Sequence, residues 1–194
     1  MECPIISIYC TVYCEDSESV RVLNGNVFLI GAVENGTSSY LLPNSKKSVL
    51  QIVYKENNTL ALSEKQTSKN PYAMISVINE QVTEGSVFRI NQWKLKIHSI
   101  SESNVLDAAL MKKKYKLKIE LKPENSDFSF DEEDLKVKFQ FINGNWFVFG
   151  ETGFWKYVHN AKNPESELCV SLDINNVLLR FGSSTFATLK ICQY

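Results

Sequence analysis

Few residues of this chain have the types and spacing needed for covalent catalysis. Nucleophilic catalysis pairs a Ser or Cys with a base, most often His, that a third group holds in place. The sequence has only two histidines. His98 lies within an apolar stretch typical of a strand, and His159 follows one. We therefore interpret both as structural or surface residues.

The densest group of carboxylates is the run Asp131-Glu132-Glu133-Asp134. A metal or acid/base site is one interpretation of it. Because successive side chains of an extended segment point in opposite directions, a solvated loop before a strand is the favoured one. The five cysteines form no CxxC pair, which favours reduced thiols over a metal site. Nucleotide-binding, zinc-protease and hydrolase motifs are also missing from the sequence, so we expect no enzyme activity, no metal and no cofactor.

Three tryptophans, Trp93, Trp146 and Trp155, could form a stacking platform for bases or sugars. In a strand-rich chain of this size such side chains more often fill the core. A carbohydrate-binding sandwich that uses the tryptophans and the acidic run is kept as a second alternative.

Charge is balanced, with 21 Lys plus Arg against 22 Asp plus Glu. Nucleic-acid affinity rests largely on phosphate neutralisation by a basic surface, and the composition has no basic excess, so we expect no general nucleic-acid binding. No apolar run approaches the roughly 18 residues of a membrane helix, and Glu2 stands where a signal peptide has a basic segment. These features predict an intracellular protein, cytoplasmic or nuclear, without membrane contact.

The elements that must position any site are short strands. Alternating apolar and β-branched or aromatic stretches of four to eight residues recur along the chain, bounded by Asn, Gly, Ser or Pro. The clearest are 49–54, 87–90, 93–100, 135–142, 177–181 and 185–192. Many short strands at this spacing predict an all-β fold, an antiparallel β-sandwich.

One stretch has the pattern of a helix. Ser103 is a suitable capping residue, residues 105–111 include good helix formers, and Lys112-Lys113-Lys114 suits a helix C-terminus. The pattern predicts a short helical connector at 103–114 between two strand clusters; a helical turn inside one continuous domain is the alternative.

Self-comparison indicates two diverged copies of one strand-rich unit. Tyr54 to Glu64 aligns without gaps on Phe141 to Glu151, and both segments read as a strand, a tight polar turn and a returning strand. Val87 to Ile97 likewise resembles Leu178 to Ile191, with extra residues in the second copy near 160–167. The predicted organisation is a first sandwich at 1–102, the connector at 103–114 and a second sandwich at 115–194.

The first copy resembles a forkhead-associated (FHA) domain from about Val20 to Ser101. Four landmarks carry the resemblance: Gly31-Ala32, Ser45-Lys46-Lys47-Ser48, Lys69-Asn70-Pro71 and Gly85 to Asn91. The second copy is similar to the later half of the family, with Asn145 to Phe149, Thr152 to Trp155 and Leu178 to Phe186. The resemblance implies two tandem sandwiches of the FHA/SMAD type.

The resemblance also implies a phosphothreonine-peptide site on the first copy. Its residues would be Ser45 for the phosphate, Lys46 or Lys47 for charge, and Asn70 for the peptide main chain, with the neighbouring Lys69 as a further site residue. Ala32 stands where the family has Arg, and Ser48 where it has His. These departures favour a phosphate-independent, non-enzymatic interaction or scaffold subunit, with phosphothreonine binding as the alternative. The expected partner is another protein, and the oligomeric state is left open.

Overall fold

The computed structural model describes residues 6–14, 17–25, 27–31, 48–55, 59–66, 73–125, 127–151, 153–171, 177–181 and 185–192. The described residues are almost entirely strand, and none of them forms an α-helix. No helix in these ranges has the length and hydropathy to cross a membrane.

The chain forms two compact units that divide it in an unexpected way. The first unit combines both ends of the chain, Met1–Ile75 and Glu165–Tyr194, and the second is the continuous segment Ser76–Pro164. The predicted connector 103–114 lies inside the second unit. Each of the two predicted copies therefore contributes residues to both units.

The strands of the first unit come from both of its chain segments. They are β1 (Ile6–Cys14), β2 (Ser17–Gly25), β3 (Val27–Gly31), β4 (Ser48–Lys55), β5 (Thr59–Gln66) and β6 (Ala73–Ser76, which ends at the unit boundary), followed later in the chain by β16 (Leu168–Ser171), β17 (Val177–Phe181) and β18 (Thr185–Cys192). One antiparallel sheet has the order β6-β17-β18-β1-β2, and the other has the order β16-β5-β4-β3.

The second unit has β7 (Asn79–Gln81), β8 (Val87–Ile90), β9 (Trp93–Ile100), β10 (Leu106–Lys112), β11 (Tyr115–Leu121), β12 (Asp127–Glu132), β13 (Leu135–Ile142), β14 (Asn145–Gly150) and β15 (Phe154–Tyr157). A 3₁₀ turn at Pro123–Asn125 separates β11 from β12. One antiparallel sheet has the order β11-β10-β9-β8-β15, and the other has the order β12-β13-β14-β7.

The core of the second unit lies between its two sheets. Alternate residues of facing strands are buried together, which is the pattern of a sandwich: Phe88, Leu95, Ile97, Leu110, Ile119, Val137, Phe139, Trp146, Val148 and Phe154 are among them. The indole Nε1 of Trp146 donates to the backbone oxygen of Asn104 at 2.7 Å, so the ring's one polar group is satisfied. The expected all-β, antiparallel sandwich character is confirmed.

Most predicted strands are present, several with the predicted bounds. The turn between β13 and β14 consists of Asn143 and Gly144, whose φ angles are 49° and 81°. Positive φ at both positions is the type I′ pattern that suits a two-residue hairpin, and an Asn-Gly pair adopts it readily. The aligned hairpin of the first unit, β4–β5, is also formed, with Lys55 opposite Thr59.

The predicted helix at 103–114 is not formed. Leu106, Ala108 and Leu110 are buried at period two, and the segment is strand β10, paired with β9 on one side and β11 on the other. Two ladders of backbone hydrogen bonds override the helical propensity of Leu and Ala, which is high in rank but worth less than about 1 kcal/mol per residue. The expected cap is instead a turn, in which Asn104 has a φ of 61° and its N–H donates to the Ser101 oxygen at 2.8 Å.

Candidate functional site

The residues predicted for phosphothreonine binding, Ser45, Lys46, Lys47, Lys69 and Asn70, lie outside the described residues. The same holds for Ala32. That site stays a prediction. The described residues offer a different candidate, on the outer face of the sheet that contains strands β8 to β11 of the second unit.

Lysines alternate with core residues in β9 and β11. Both strands carry one pattern, an aromatic residue followed by Lys-Leu-Lys-Ile, at residues 93–97 and 115–119. In β9, Leu95 and Ile97 enter the core, so Lys94 and Lys96 must point to the other face. Ile119 of β11 enters the core in the same way, and Lys116 and Lys118 are exposed.

The register brings these lysines together with Arg89. One row across the sheet runs Arg89, Lys94, Met111, Lys116, and the next runs Val87, Lys96, Ala109, Lys118. Residues directly opposite one another in antiparallel strands lie on the same face of the sheet. We call the set Arg89, Lys94, Lys96, Lys116 and Lys118 the basic face.

Strand geometry gives the basic face its dimensions. Residues two apart along a strand are about 7 Å apart, and strands two apart in a sheet are about 10 Å apart. Lys94, Lys96, Lys116 and Lys118 therefore mark the corners of a rectangle of about 7 by 10 Å. Its middle is the apolar pair Ala109 and Met111, and Ala109 is only 1% exposed between Lys96 and Lys118.

The charges of the basic face are not balanced by the acids around them. The ion pairs of the described residues involve Lys55, Lys112, Lys136, Lys138 and Lys156, and none involves a residue of the basic face. The pKa of Lys94 is lowered, first by burial and then by the positive charge of Lys96. An anion that binds between cations that repel one another in this way stabilises their charged forms.

Aromatic side chains border the basic face at β15. Trp155 lies opposite Arg89, and the ammonium of Lys94 is 5.7 Å from the ring centroid of Tyr157. A cation over an aromatic ring at this distance is attracted by the negative face of the ring. This contact holds Lys94 toward one side of the rectangle.

An acidic row limits the basic face at one end. Asp107 lies opposite Glu120, one alternate position beyond Ala109 and Lys118 on the same face. At the other end the β10–β11 turn adds the exposed Lys113 and Lys114. An anionic ligand is therefore attracted from the hairpin end and repelled beyond the second row.

The outer face of the four-stranded sheet contrasts with the basic face. Lys136 and Lys138 alternate in β13 in the same way, but Lys136 lies 3.9 Å from Asp131 and 3.7 Å from Glu151, and Lys138 lies 3.1 Å from Asp127. A shallow open groove between them is lined by both lysines and by Asp131 and Glu151. This face is charge-balanced, so it provides a matched control for the basic face.

The carboxylate run at 131–134 spans the end of β12 and the turn to β13. No three His, Cys, Asp or Glu side chains come together as metal ligands in the part of the chain that the structure describes. Asp134 instead accepts a hydrogen bond from the Lys112 ammonium. The pKa of Asp134 is lowered, chiefly by this bond and then by the Trp93 side chain.

The three tryptophans are buried or half-buried. Trp146 is 1% exposed in the core of the second unit, and Trp155, on the same face of the sheet as Arg89, is 7% exposed. Neither offers an open ring to a sugar or a base. Trp93 is half-buried, with the Lys112 ammonium 5.3 Å from its ring centroid.

The overall composition does not indicate the basic face, because the chain as a whole carries a formal charge of only −1. The repeated aromatic-Lys-Leu-Lys-Ile pattern is the feature of the sequence that indicates it.

Comparison of the chain with protein-family models, curated proteins and solved structures gives no match.

Proposed function

We propose that this chain is a non-enzymatic interaction protein whose basic face docks an acidic, extended segment of a partner protein. The observation that carries the proposal is the register, which brings four lysines to the corners of one rectangle, and no ion pair among the described residues includes any of them. Recognition through carboxylates is independent of phosphate.

The dimensions favour an extended acidic segment. Alternate side chains of a strand are about 7 Å apart on one face, which equals the spacing of Lys94 from Lys96 and of Lys116 from Lys118. A segment with acids at alternate positions presents them in pairs to these lysines. Its backbone would lie over Ala109 and Met111, and its intervening side chains would point away from the sheet.

A protein partner fits better than a nucleic acid. A nucleic-acid backbone continues beyond two rows of charge, and here it would meet Asp107 and Glu120. Nucleic-acid binding gains from releasing many counterions over a broad basic surface, whereas this surface is bounded. A short acidic segment ends before the acidic row.

The test is a titration of the full chain with a synthetic twelve-residue peptide of alternating Glu and Thr, followed by calorimetry. The charge-reversed variant Lys94→Glu/Lys116→Glu should weaken binding roughly tenfold or more, a loss of about 1.4 kcal/mol. Lys136→Glu/Lys138→Glu, which makes the same change on the balanced face, should bind as wild type. Raising the salt from about 50 to 300 mM should weaken wild-type binding, because exposed charges are screened.

Two further arms of the titration separate the alternatives. A single-stranded DNA oligonucleotide that bound more tightly than the acidic peptide would replace the proposal with nucleic-acid binding. Equal binding of the peptide by wild type and by the Lys94→Glu/Lys116→Glu variant would refute docking on the basic face.

Phosphothreonine binding by the first copy stays a separate prediction. It requires that a phosphothreonine peptide bind better than its unphosphorylated form, and that Ser45→Ala remove the difference. The two sites are distinguishable, because Ser45→Ala should leave binding of the Glu-Thr peptide unchanged.

A further inference from the structure

The strand pairings of the two units repeat with one shift in strand number. The first unit has the ladders β1–β2, β3–β4, β4–β5 and β17–β18. The second unit has β10–β11, β12–β13, β13–β14 and β8–β9. In every case the strands that correspond are nine strands apart along the chain.

The remaining described pairings within the units follow the same rule with an added feature. The first unit pairs β1 with β18, β5 with β16 and β6 with β17. The second unit pairs β10 with β9, β14 with β7 and β15 with β8. A shift of nine converts each pairing into its counterpart, and each joins a strand from β1–β9 to a strand from β10–β18.

We propose that the chain is a tandem duplication of one nine-strand copy, and that the two copies have exchanged their last three strands. The first copy is β1–β9 and the second is β10–β18. Each compact unit takes six strands from one copy and three from the other. The aligned hairpins at 54–64 and 141–151 occupy equivalent places, and so do Arg89 of β8 and Arg180 of β17.

The short link between the copies explains the exchange. Only residues 101–105 connect β9 to β10, and they form a tight turn in which the Ser101 N–H donates to the Val105 oxygen at 3.0 Å. This turn places β10 beside β9, at the edge where β1 would lie if the first copy closed on itself. Short hinge links of this kind favour exchange of elements between like units.

The chain passes from the first unit to the second between β6 and β7, and returns between β15 and β16. These two links differ in length, and specific contacts hold the longer one. Only residues 77–78 join β6 to β7, whereas 158–167 join β15 to β16. The Ala161 N–H donates to the Gly85 oxygen at 2.9 Å, and the Asn160 side chain donates to the Glu84 oxygen at 3.1 Å. The longer link is thus fastened to the β7–β8 turn of the second unit.

Equivalence of the units also shows where they have diverged. In the first unit, the row that corresponds to Arg89, Lys94, Met111 and Lys116 contains Arg180, Phe186, Tyr13 and Glu18. The next row contains Thr188, Thr11 and Val20 where the second unit has Lys96, Ala109 and Lys118. The lysine rectangle is specific to the second unit.

The exchange is tested on the full chain by a single cut between the copies. A site-specific protease sequence is inserted between Glu102 and Ser103, both of which are exposed, and the folded protein is cleaved. The two fragments should co-elute from a sizing column as one species of full-chain mass and separate only in denaturant. Separation under native conditions into two folded fragments would overturn the exchange.

A crosslinking pair keeps the test decisive if the inserted site disturbs folding. In a background with the five native cysteines replaced by serine, Thr11→Cys/Thr188→Cys should form an intramolecular disulfide, because the two residues lie directly opposite. Thr11→Cys/Lys96→Cys is the matching pair for a copy closed on itself and should remain reduced. The reverse outcome would show that the copies are not exchanged.

Discussion

Lys94 and Lys116 lie on opposite sides of Met111, in one row across the sheet, and point to the same face. Strand β10 separates them by about 10 Å, so one anionic segment that lies over β10 can contact both ammonium groups. This relationship makes the outer face of the second unit a binding surface rather than a set of independent solvated lysines.

The lowered pKa of Lys94 gives a direct test of the crowding of charge. Removing the neighbouring cation with Lys96→Gln should raise the pKa of Lys94, because repulsion of the charged form is relieved. Binding of the Glu-Thr peptide to wild type should raise it as well. NMR titration of the lysine side-chain resonances measures both effects, and Lys136→Gln should leave the pKa of Lys94 where it is.

The pair Lys156 and Glu80 should stabilise the second unit by joining its two sheets. The Lys156 ammonium, on a side chain that is 10% exposed, lies 2.5 Å from the Glu80 carboxylate. Glu80→Ala leaves a mostly buried charge without its partner, and we expect a loss of about 2–3 kcal/mol in the free energy of unfolding.

Replacing both charged residues of this pair with apolar ones should recover part of the lost stability. The double variant Glu80→Leu/Lys156→Met buries no unpaired charge, so denaturant unfolding should place it above Glu80→Ala in stability. A double variant less stable than Glu80→Ala would contradict this account of the pair.

Two glycines with positive φ should differ in their tolerance of a side chain. The Cβ added by Gly144→Ala meets no atom within 4 Å. The free energy of unfolding should therefore fall only because alanine disfavours the left-handed conformation, by about 1–2 kcal/mol. Gly85→Ala adds overlap with the Asn160 side chain and the Lys162 backbone. Thermal unfolding should therefore show a clearly larger loss for Gly85→Ala, and equal losses would mean that the 158–167 link is not fastened there.

The units' equivalence predicts that the basic face can be transplanted. Lysines at the corresponding positions of the first unit, Glu18→Lys, Val20→Lys, Phe186→Lys and Thr188→Lys, should raise the binding of the Glu-Thr peptide from one equivalent to two. A control with the same added charge at scattered exposed positions is Ser76→Lys, Glu102→Lys, Ala161→Lys and Asn163→Lys. A second equivalent with both variants would show that net charge alone attracts the peptide.

Strand positions were predictable because their signals are local. Trp93 to Ile100 and Leu135 to Ile142 alternate apolar and polar residues, and Asn143-Gly144 specifies a two-residue turn. The helix prediction at 103–114 was wrong because residues 106–110 fit a helical and an extended pattern at once, through Leu106, Ala108, Ala109 and Leu110. Only the neighbouring strands β9 and β11 decide between the two.

The basic face was less predictable, since it depends on which strands are neighbours. The spacing of Lys94 from Lys96, and of Lys116 from Lys118, is visible in the sequence. The equally spaced Lys136 and Lys138 look the same, yet they are paired with acids. The pairing of β10 with both β9 and β11 distinguishes the two sets, and no local pattern encodes it.

The most direct test of docking on the basic face uses the methionine methyl groups as reporters. Met111 lies at the centre of the short row between Lys94 and Lys116, and Met74 is buried in the first unit. In ¹³C-methyl-methionine NMR of the full chain, saturation with the Glu-Thr peptide should shift the Met111 resonance and leave Met74 unchanged. A Met111 resonance that stays in place while the peptide is bound would contradict the central claim.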